Sequence, residues 1–326
     1  MGDALHAQRR YGEAFGAYQA CNAELQRIHT RRFLRSGIET VPQYLVRLID
    51  YFSLQQSHRW SAAVPSSAPH ADDPARHIFI VGFPRSGTTL LENVLGCLPN
   101  TVTTDERDGL ADGVREFMAA QAGLDRLAAA QGSILARYRR AYWKRLHERG
   151  LDHKNRIFID KQPYNTVKLP LIAKLFPQAK IVFVVRDPRD VVLSCFRQRF
   201  KMNPSNFELL TLDGAARLYD LTMRLAEIYR SILSLDIQYV RHEDLLANFE
   251  KVIHSLCTHL NVAWDQNVFS FADRARNRAI ATASANQVMK GLMQTPPEQW
   301  RHYHSELAPI LPVLEPWVRR FGYSAS

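Results

Sequence analysis

Short apolar runs alternate with longer amphipathic stretches along most of the chain. Runs rich in β-branched and aromatic residues predict strands at 77–82, 156–160, 180–185 and 236–241. Helical periodicity predicts helices at about 88–98, 108–149, 166–177, 188–200, 209–235 and 243–260. Strands that alternate with helices are typical of a parallel sheet covered on both faces. The pattern therefore predicts an α/β fold whose ligands bind at the carboxyl ends of the strands.

The first part of the chain has a different pattern. Tyr11, Phe15, Tyr18 and Leu25 recur at helical spacings with small alanines between them, which predicts helices over 1–60. This segment resembles one helix pair of a tetratricopeptide repeat. Because a single repeat cannot bury both of its faces, we expect it to pack on the rest of the chain or to be the remnant of a longer array. A protein partner for these helices is a further expectation.

A stretch rich in Ser, Ala, Pro and Asp follows the helical segment and has the composition of a linker. We therefore divide the chain into a helical segment at 1–60, a linker at 61–75 and a main domain at 76–326. With 326 residues, 46% of them hydrophobic, the chain is long enough to bury a sizeable core.

The chain is basic, with 42 Lys and Arg against 32 Asp and Glu and a net charge of +10. A field of that sign favours anionic ligands and acidic substrates. No run of five or more like charges stands out, and no basic stripe is interleaved with regularly spaced aromatic residues. We therefore predict no nucleic-acid partner.

The four cysteines, Cys21, Cys97, Cys195 and Cys257, are far apart and form no CxxC pair, which is typical of buried thiols in a reducing compartment. The N-terminus has no apolar core of signal-peptide length, and no stretch approaches about 18 consecutive apolar residues. No HExxH pattern or other zinc constellation is seen. We predict a cytoplasmic protein with no transmembrane segment and no metal.

The segment 78–92 reads IFIVGFPRSGTTLLE and has the spacing of a phosphate-binding P-loop. Backbone N–H groups that lead into a helix N-terminus form an anion cradle, and Gly82 and Gly87 let the backbone approach a ligand closely. Thr88 stands where a nucleoside triphosphatase has its lysine. Arg85 has a planar fork that can grip a singly charged sulfuryl group and the phosphate beside it, so the loop suits sulfuryl transfer better than ATP chemistry.

A second motif, KIVFVVRDPRDVVLSCFRQRF, covers 180–200. The predicted strand ends at Arg186, Asp187 has the character of an N-cap, and Pro188 occupies the first helical position. Two other interpretations exist for this segment alone. It can be a capped surface helix with solvated arginines, or a Walker B strand with Asp187 on magnesium; the use of Asp187 as a cap argues against the second.

Together, PRSGTTL, DKQPYN and VVRDPRDVVLS resemble the sulfotransferases that use 3′-phosphoadenosine 5′-phosphosulfate (PAPS). The resemblance is to tetratricopeptide-linked members, which are similar to tyrosylprotein sulfotransferases, and it covers about 76–323. It implies a P-loop-type parallel sheet flanked by helices. It also implies an enzyme that moves a sulfuryl group from PAPS to a hydroxyl by in-line attack and releases adenosine 3′,5′-bisphosphate.

The resemblance implies two groups of donor-binding residues. The 5′-phosphosulfate would be bound by the loop residues Arg85, Ser86, Gly87, Thr88 and Thr89. The 3′-phosphate would be bound by Arg186 and Ser194, which are eight residues apart as in the family motif. A further basic residue is expected near that phosphate, and the register leaves Arg197 and Arg199 as candidates, with Arg197 preferred.

The resemblance also implies catalytic residues. It points to Glu106 as the base that accepts the proton of the acceptor hydroxyl; Asp105 is the alternative. Lys161, together with Arg85, would stabilise charge that develops on the transferred sulfuryl group and its bridging oxygen. Without the resemblance, Glu106 is a glutamate near a helix start and Lys161 a solvated lysine at a strand end.

The segment IATASANQVMKGL, 280–292, resembles the family loop that closes over the nucleotide, with Ser284 and Lys290 on the donor. Two positions depart from the family. His242 stands where a tyrosine near the adenine is usual, and Gln299 stands where many relatives carry a basic residue, for which Arg301 is a candidate substitute. Both departures concern donor binding rather than transfer chemistry.

The acceptor carries no motif and is left open among protein tyrosine, glycan, lipid and small molecule, with an acidic peptide or glycan suited to the basic charge. Two rival functions also stay open at this point. One is a P-loop kinase or NTPase that binds ATP with magnesium. The other is a non-catalytic helical-repeat interaction protein whose nucleotide site has decayed.

Overall fold

The computed structural model describes residues 1–55, 57–60, 73–277 and 298–324. The chain forms two compact units, and each draws on separated stretches of sequence. The first unit comprises Met1–Asp50, Arg186–Leu225 and Pro296–Ser326, and the second comprises Tyr51–Val185 and Ala226–Thr295. The predicted α/β class is confirmed, whereas the predicted limits of the helical segment, linker and main domain stay a prediction.

The second unit contains a sheet of five parallel strands in the order β2-β3-β1-β4-β5. The strands are β1 (Arg76–Gly82), β2 (Thr101–Thr103), β3 (Ile157–Lys161), β4 (Lys180–Val185) and β5 (Asp236–Arg241). The four predicted strands are confirmed to within a residue. The three-residue edge strand β2 was not predicted.

The helices cover most of the remaining described residues. In chain order the α-helices are α1 (Gly2–Ala7), α2 (Tyr11–Phe33), α3 (Val41–Ser53), α4 (Thr88–Leu95), α5 (Ala111–Phe117), α6 (Gln121–Ala129), α7 (Gly132–His147), α8 (Leu169–Leu175), α9 (Pro188–Arg197), α10 (Pro204–Glu208), α11 (Leu212–Ile232), α12 (His242–Ala247), α13 (Phe249–Leu260), α14 (Phe271–Asn277), α15 (His304–Leu307) and α16 (Leu311–Arg320). Short 3₁₀ helices span Ser57–Trp60, Pro163–Lys168, Gln266–Ser270, Gln299–Tyr303 and Ala308–Ile310.

The helical pattern predicted over about 108–149 is divided among three helices, α5, α6 and α7. The chain turns between α5 and α6 so tightly that a Cβ on Gly123 would lie 2.6 Å from the carbonyl oxygen of Phe117. A second break occurs where Gln131 adopts an extended backbone before α7. Division into short helices lets each one bury its own apolar residues, such as Leu124 and Leu135.

The central strands are buried on both faces, as expected for a parallel sheet covered by helices. On one face Ile78 and Ile80 pack in a cluster with Val94 of α4. On the other face His77 and Phe79 lie among aromatic rings from α7, β3 and the residue after α8. Alternate residues of one strand therefore form two chemically different layers.

In the first unit, α2 buries a face that is shifted from the predicted one. Ala14, Tyr18 and Asn22 are buried, at intervals of four residues. The Asn22 side-chain amide donates to the carbonyl oxygen of Phe196 (2.9 Å). Tyr11 is only partly buried and stacks on His302, with 4.2 Å between ring centroids. The helices are present as predicted, and their tetratricopeptide-like character stays a prediction.

None of the helices in the described parts of the chain combines the length and the apolar character needed to cross a lipid bilayer.

Candidate active site

The predicted anion-binding loop connects β1 to α4 at the carboxyl edge of the sheet. Gly82 has a φ of +152°, and a Cβ there would lie 2.5 Å from the carbonyl oxygen of Val184, so the position requires glycine. The Gly82 amide donates to the Thr166 hydroxyl (3.0 Å), which in turn donates to the Gly82 carbonyl oxygen (2.7 Å). The start of the loop is therefore fixed between β4 and the segment after β3.

The loop itself adopts the backbone that an anion cradle needs. Arg85 and Gly87 have positive φ values of +70° and +103°, and α4 begins at Thr88. Ser86, Thr88 and Thr89 are buried at the point where α4 begins, and the first amides of a helix are available to bind an anion. Left-handed backbone in a non-glycine residue costs about 1–3 kcal/mol and is concentrated at functional sites, which fits Arg85.

His242, the first residue of α12, lies directly over this loop. A Cβ on Gly87 would be 2.4 Å from the imidazole Nδ1 of His242. β5 ends at Arg241, so the strand delivers the imidazole to the same edge of the sheet. The family resemblance implied that residue 242 lies near the adenine. In the structure, His242 lies beside the loop that is predicted to bind the phosphosulfate.

Glu106 and Lys161, the predicted base and the predicted charge-stabilising lysine, are in contact. The Lys161 ammonium donates to the Glu106 carboxylate (2.6 Å). Lys161 is fully buried at the end of β3, whereas the Glu106 side chain is 35% exposed. A carboxylate that is open to solvent on one side and held by a lysine on the other can meet an acceptor hydroxyl.

A residue that the sequence reasoning missed completes this cluster. Glu92 of α4 is 1% exposed, its Oε2 lies 3.2 Å from the Lys161 ammonium, and its Oε1 accepts from the amide of Asp105 (3.0 Å). The signal in the sequence was a single charged residue in the helix TTLLENVL, because a buried carboxylate needs a partner.

Burial and ion pairing oppose each other in this cluster. Burial raises the pKa of Glu92, and the Lys161 ammonium acts against that rise. Burial, the largest single influence on Lys161, acts to lower its pKa, but the carboxylates of Glu92 and Glu106 together raise it above its ordinary value. Lys161 is thereby kept as a cation despite its complete burial.

In the first unit, the second motif forms a network of ion pairs around the start of α9. Asp187 caps the helix as predicted, accepting from the Arg189 amide (2.9 Å) and from the Arg189 guanidinium (2.7 Å). Arg186 donates to Asp190 (3.2 Å). Asp190 also accepts from the amides of Glu298 (3.0 Å) and Trp300 (2.9 Å). Because Asp187 is engaged by its own helix and by Arg189, it is poorly suited to bind magnesium.

The remaining predicted phosphate ligands lie along the same helix. Ser194 is one turn after Asp190, so it shares the helix face that Arg186 contacts. Arg197 donates to Gln299 (3.1 Å), the residue that departs from the family pattern, while the exposed Arg199 donates to Asn22 (2.9 Å). Both arginines thus have partners within the first unit.

Comparison with known proteins now identifies the family. A family model described as "Sulfotransferase family" matches residues 77–266. The chain belongs to the sulfotransferase family. This confirms the family predicted from the motifs.

Two relatives of this sulfotransferase illustrate the match. An uncharacterised protein of Aquifex aeolicus is 26% identical over 268 residues, which are 74% of this chain and 32% of that protein. Protein-tyrosine sulfotransferase 1 of Danio rerio is 23% identical over 267 residues, 76% of this chain and 72% of that protein. The chain thus spans about a third of the length of the Aquifex relative.

Among solved structures, the sulfotransferase domain from the curacin biosynthetic pathway is 18% identical and has a TM-score of 0.46. The match covers 76% of this chain and 98% of that domain.

The predicted donor-binding residues Ser284 and Lys290 lie outside the residues that the structure describes.

No metal was predicted, but the structure brings ligand atoms of His147, Asp152 and His153 within 4.8 Å of one another, a grouping that the sequence patterns did not reveal. These residues precede β3 and so lie at the edge of the sheet opposite Lys161. The absence of a metal stays a prediction.

Proposed function

We propose that this sulfotransferase moves a sulfuryl group from PAPS to a hydroxyl acceptor, with Glu106 as the base. The observation that carries the proposal is the contact of Glu106 with Lys161 at the carboxyl edge of the sheet that also bears the anion-binding loop. Lys161 pairs with Ile80 of β1, two residues before Gly82, so the lysine and the start of the loop belong to neighbouring strands.

The donor is proposed to bind through both of its phosphate groups. Arg85 and the loop residues Ser86, Gly87, Thr88 and Thr89 would bind the 5′-phosphosulfate, and His242 lies close enough to the loop to contribute. Arg186 and Ser194 would bind the 3′-phosphate, with Arg197 as the additional cation. Arg186 would then exchange its carboxylate partner Asp190 for a phosphate, and Asp190 would keep two backbone N–H donors.

In the transfer step, the acceptor oxygen attacks sulfur while Glu106 takes the hydroxyl proton. The new oxygen–sulfur bond forms as the bond from sulfur to the bridging phosphate oxygen breaks, and adenosine 3′,5′-bisphosphate leaves. Lys161 and Arg85 stabilise the charge that grows on the sulfuryl group and the bridging oxygen. Sulfuryl carries less charge than a γ-phosphoryl group, which is consistent with threonine in place of the P-loop lysine.

For the acceptor we propose a hydroxyl on an acidic partner, with tyrosine in an acidic peptide as the first to test. The net charge of +10 favours such a partner, and one relative is named as a protein-tyrosine sulfotransferase. Glycans, lipids and small molecules are the other acceptor classes. A protein partner for the N-terminal helices, the domain limits and a cytoplasmic location stay predictions.

The first experiment measures sulfate transfer from radiolabelled PAPS to a panel of peptides, glycans and phenols, beside release of free sulfate. We expect Glu106→Gln to lose about 10²–10⁴-fold in transfer rate while binding adenosine 3′,5′-bisphosphate as wild type does. Asp105→Asn is the matched control, since it removes a neighbouring carboxylate, and it should keep most of the activity.

Calorimetry with adenosine 3′,5′-bisphosphate, without magnesium, tests the donor site. Arg186→Ala should weaken binding about 10–150-fold, the value of one charged hydrogen-bonded contact of about 1.5–3 kcal/mol. Arg199→Ala, which removes an exposed arginine, should leave affinity unchanged. Magnesium-dependent binding of ATP, with neither sulfate transfer nor binding of the bisphosphate, would show that the protein is an NTPase instead.

A further inference from the structure

Glu92 is a charged residue in the middle of a helix whose eight residues are all buried. A buried carboxylate without partners would be strongly unfavourable and would take up a proton. Here each oxygen has a separate contact. Oε2 faces the ammonium of Lys161 (3.2 Å), and Oε1 accepts from the Asp105 amide (3.0 Å).

The Asp105 amide belongs to a strained loop. Asp105 and Glu106 both have positive φ values, +49° and +64°, although neither is glycine. Each such residue costs about 1–3 kcal/mol and persists only where its surroundings fix it. The Thr104 amide donates to the Ile159 carbonyl oxygen (3.0 Å), and the amide of the next residue, Asp105, donates to the Glu92 carboxylate.

We propose that Glu92 is a positioning residue that gives Lys161 a permanent counter-charge and anchors the loop that carries Glu106. This inference rests on the proposed function and deepens it. Glu92 acts through Lys161 and Glu106, the two residues proposed to meet the donor and the acceptor.

The need for a second carboxylate follows from the transfer step. Before the step, two carboxylates face one ammonium; once Glu106 has taken the acceptor proton, it no longer carries the charge that balances Lys161. Lys161 is fully buried, so a neutral Glu106 alone would leave a buried cation without a counter-ion. Glu92 stays ionised at 3.2 Å and keeps Lys161 charged while the phosphate oxygen leaves.

Two further acidic residues, Asp105 and Asp160, lie near this cluster. The Asp105 carboxylate acts to raise the pKa of Glu92. Asp160 lies next to Lys161 in β3, and its carboxyl is held by Tyr142 (2.8 Å) and Asn165 (3.2 Å). Burial raises the pKa of Asp160 to about 7. Glu92 and Glu106 are therefore the carboxylates that pair directly with Lys161 among the described residues.

The test reads the charge of Lys161 directly by ¹³Cε NMR titration of labelled lysines, with the Lys161 signal assigned from Lys161→Arg. Glu92→Gln keeps an oxygen that can accept from Asp105 but removes the charge. We expect the pKa of Lys161 to fall by about 1–3 units in this variant. The signal of Lys174, which is buried elsewhere in the same unit, serves as the internal control and should not move.

A second variant leaves Glu92 intact in case Glu92→Gln does not fold. Glu106→Gln imitates the neutral state of the base, and in it Lys161 should stay charged up to at least pH 9. If Lys161 instead loses its proton below that pH in Glu106→Gln, or keeps the wild-type titration in a folded Glu92→Gln, Glu92 is not its counter-charge and the proposal is wrong.

Kinetics then separate positioning from folding. In Glu92→Gln the alkaline limb of the kcat profile should move to lower pH, because transfer needs charged Lys161, while KM for PAPS stays within about twofold. Glu92→Ala also removes the acceptor of the Asp105 amide and should lose further activity at every pH. If the alkaline limb is unchanged in Glu92→Gln, Glu92 contributes to the stability of the fold and does not tune the charge of Lys161. The NMR titration needs no sulfate transfer, so it stands even if the wild type proves not to use PAPS.

Discussion

Two lysines of the second unit are both buried, but their ammonium groups have chemically different partners. Lys161, at the end of β3, lies between the carboxylates of Glu92 and Glu106. Lys174, on α8, donates to the carbonyl oxygens of Ala128 (3.0 Å) and Arg59 (3.3 Å). It also lies 5.7 Å from the centre of the Trp60 ring. Both side chains are almost completely inaccessible to solvent.

The two pKa values shift in opposite directions. Ion pairing overcomes burial at Lys161 and raises its pKa, whereas burial lowers the pKa of Lys174. Carbonyl dipoles and an aromatic face can hold an ammonium in place, but they do not compensate its lost hydration as two carboxylates do. Of these two lysines, Lys161 is therefore the one equipped to supply charge to a reaction.

The largest expected effect is on catalysis. Lys161→Met should lower the rate of sulfate transfer by about 10²–10³-fold, the usual loss when one preorganised charge stabiliser is removed. Lys174→Met should leave that rate within about twofold. Both rates are measured with labelled PAPS at saturating donor. Equal losses in the two variants would mean that the lysines support activity only through the fold.

A second difference should appear in stability. Lys161→Met leaves the Glu92 carboxylate buried without its counter-ion, so we expect a loss of about 3 kcal/mol in the free energy of unfolding at pH 8. Because Glu92 can then relieve its burial by taking up a proton, the loss should shrink as the pH falls towards 4.5. Urea unfolding at several pH values measures this trend. A loss that does not depend on pH would contradict the assignment of an ionised Glu92.

His77 extends the comparison to a buried base that pairs with no carboxylate among the described residues. It is bonded to the Tyr142 hydroxyl (3.1 Å) and surrounded by aromatic rings, although a small part of the residue stays accessible. Burial, with a smaller repulsion from His153, lowers the pKa of His77 to about 3 from 6.5. Below pH 6.5 the unfolded chain therefore binds a proton that the folded protein does not. The free energy of unfolding consequently decreases as the pH is lowered.

His77→Phe should remove this penalty. Relative to the wild type, the variant should gain about 2 kcal/mol in the free energy of unfolding when the pH is lowered from 7 to 5. His58→Phe, at an exposed histidine of the same unit, is the control and should show no such gain. Parallel curves for the wild type and His77→Phe would mean that His77 is charged inside the fold.

Much of the sheet was predictable because its central strands are buried on both faces and read as continuous apolar runs. β2 was missed because three residues, two of them threonine, carry no periodic signal. Yet β2 is what brings the proposed catalytic pair together, since Lys161 and Glu106 are 55 residues apart in sequence. The Lys161 amide donates to the hydroxyl of Thr104, the residue that follows β2.

The proposed site residues were predicted from short motifs, and a residue that stands outside a motif was missed. The loop and Arg186 stand in short conspicuous patterns, so local sequence was sufficient to single them out. Glu92 lies in an apolar helix, and its role depends on two contacts with distant residues, at Asp105 and Lys161. A rule that every buried carboxylate must have a partner would have directed attention to it.

The Arg189 guanidinium lies 3.8 Å over the ring of Trp300, whose amide donates to Asp190, the partner of Arg186. An anion that draws Arg186 away from Asp190 changes the electric field at this indole, and indole emission responds to such a field. The protein thus contains its own optical reporter beside the proposed 3′-phosphate ligands. A titration followed by tryptophan fluorescence, with Trp300→Phe as the dark reference, could follow occupancy of that site in real time without any attached dye.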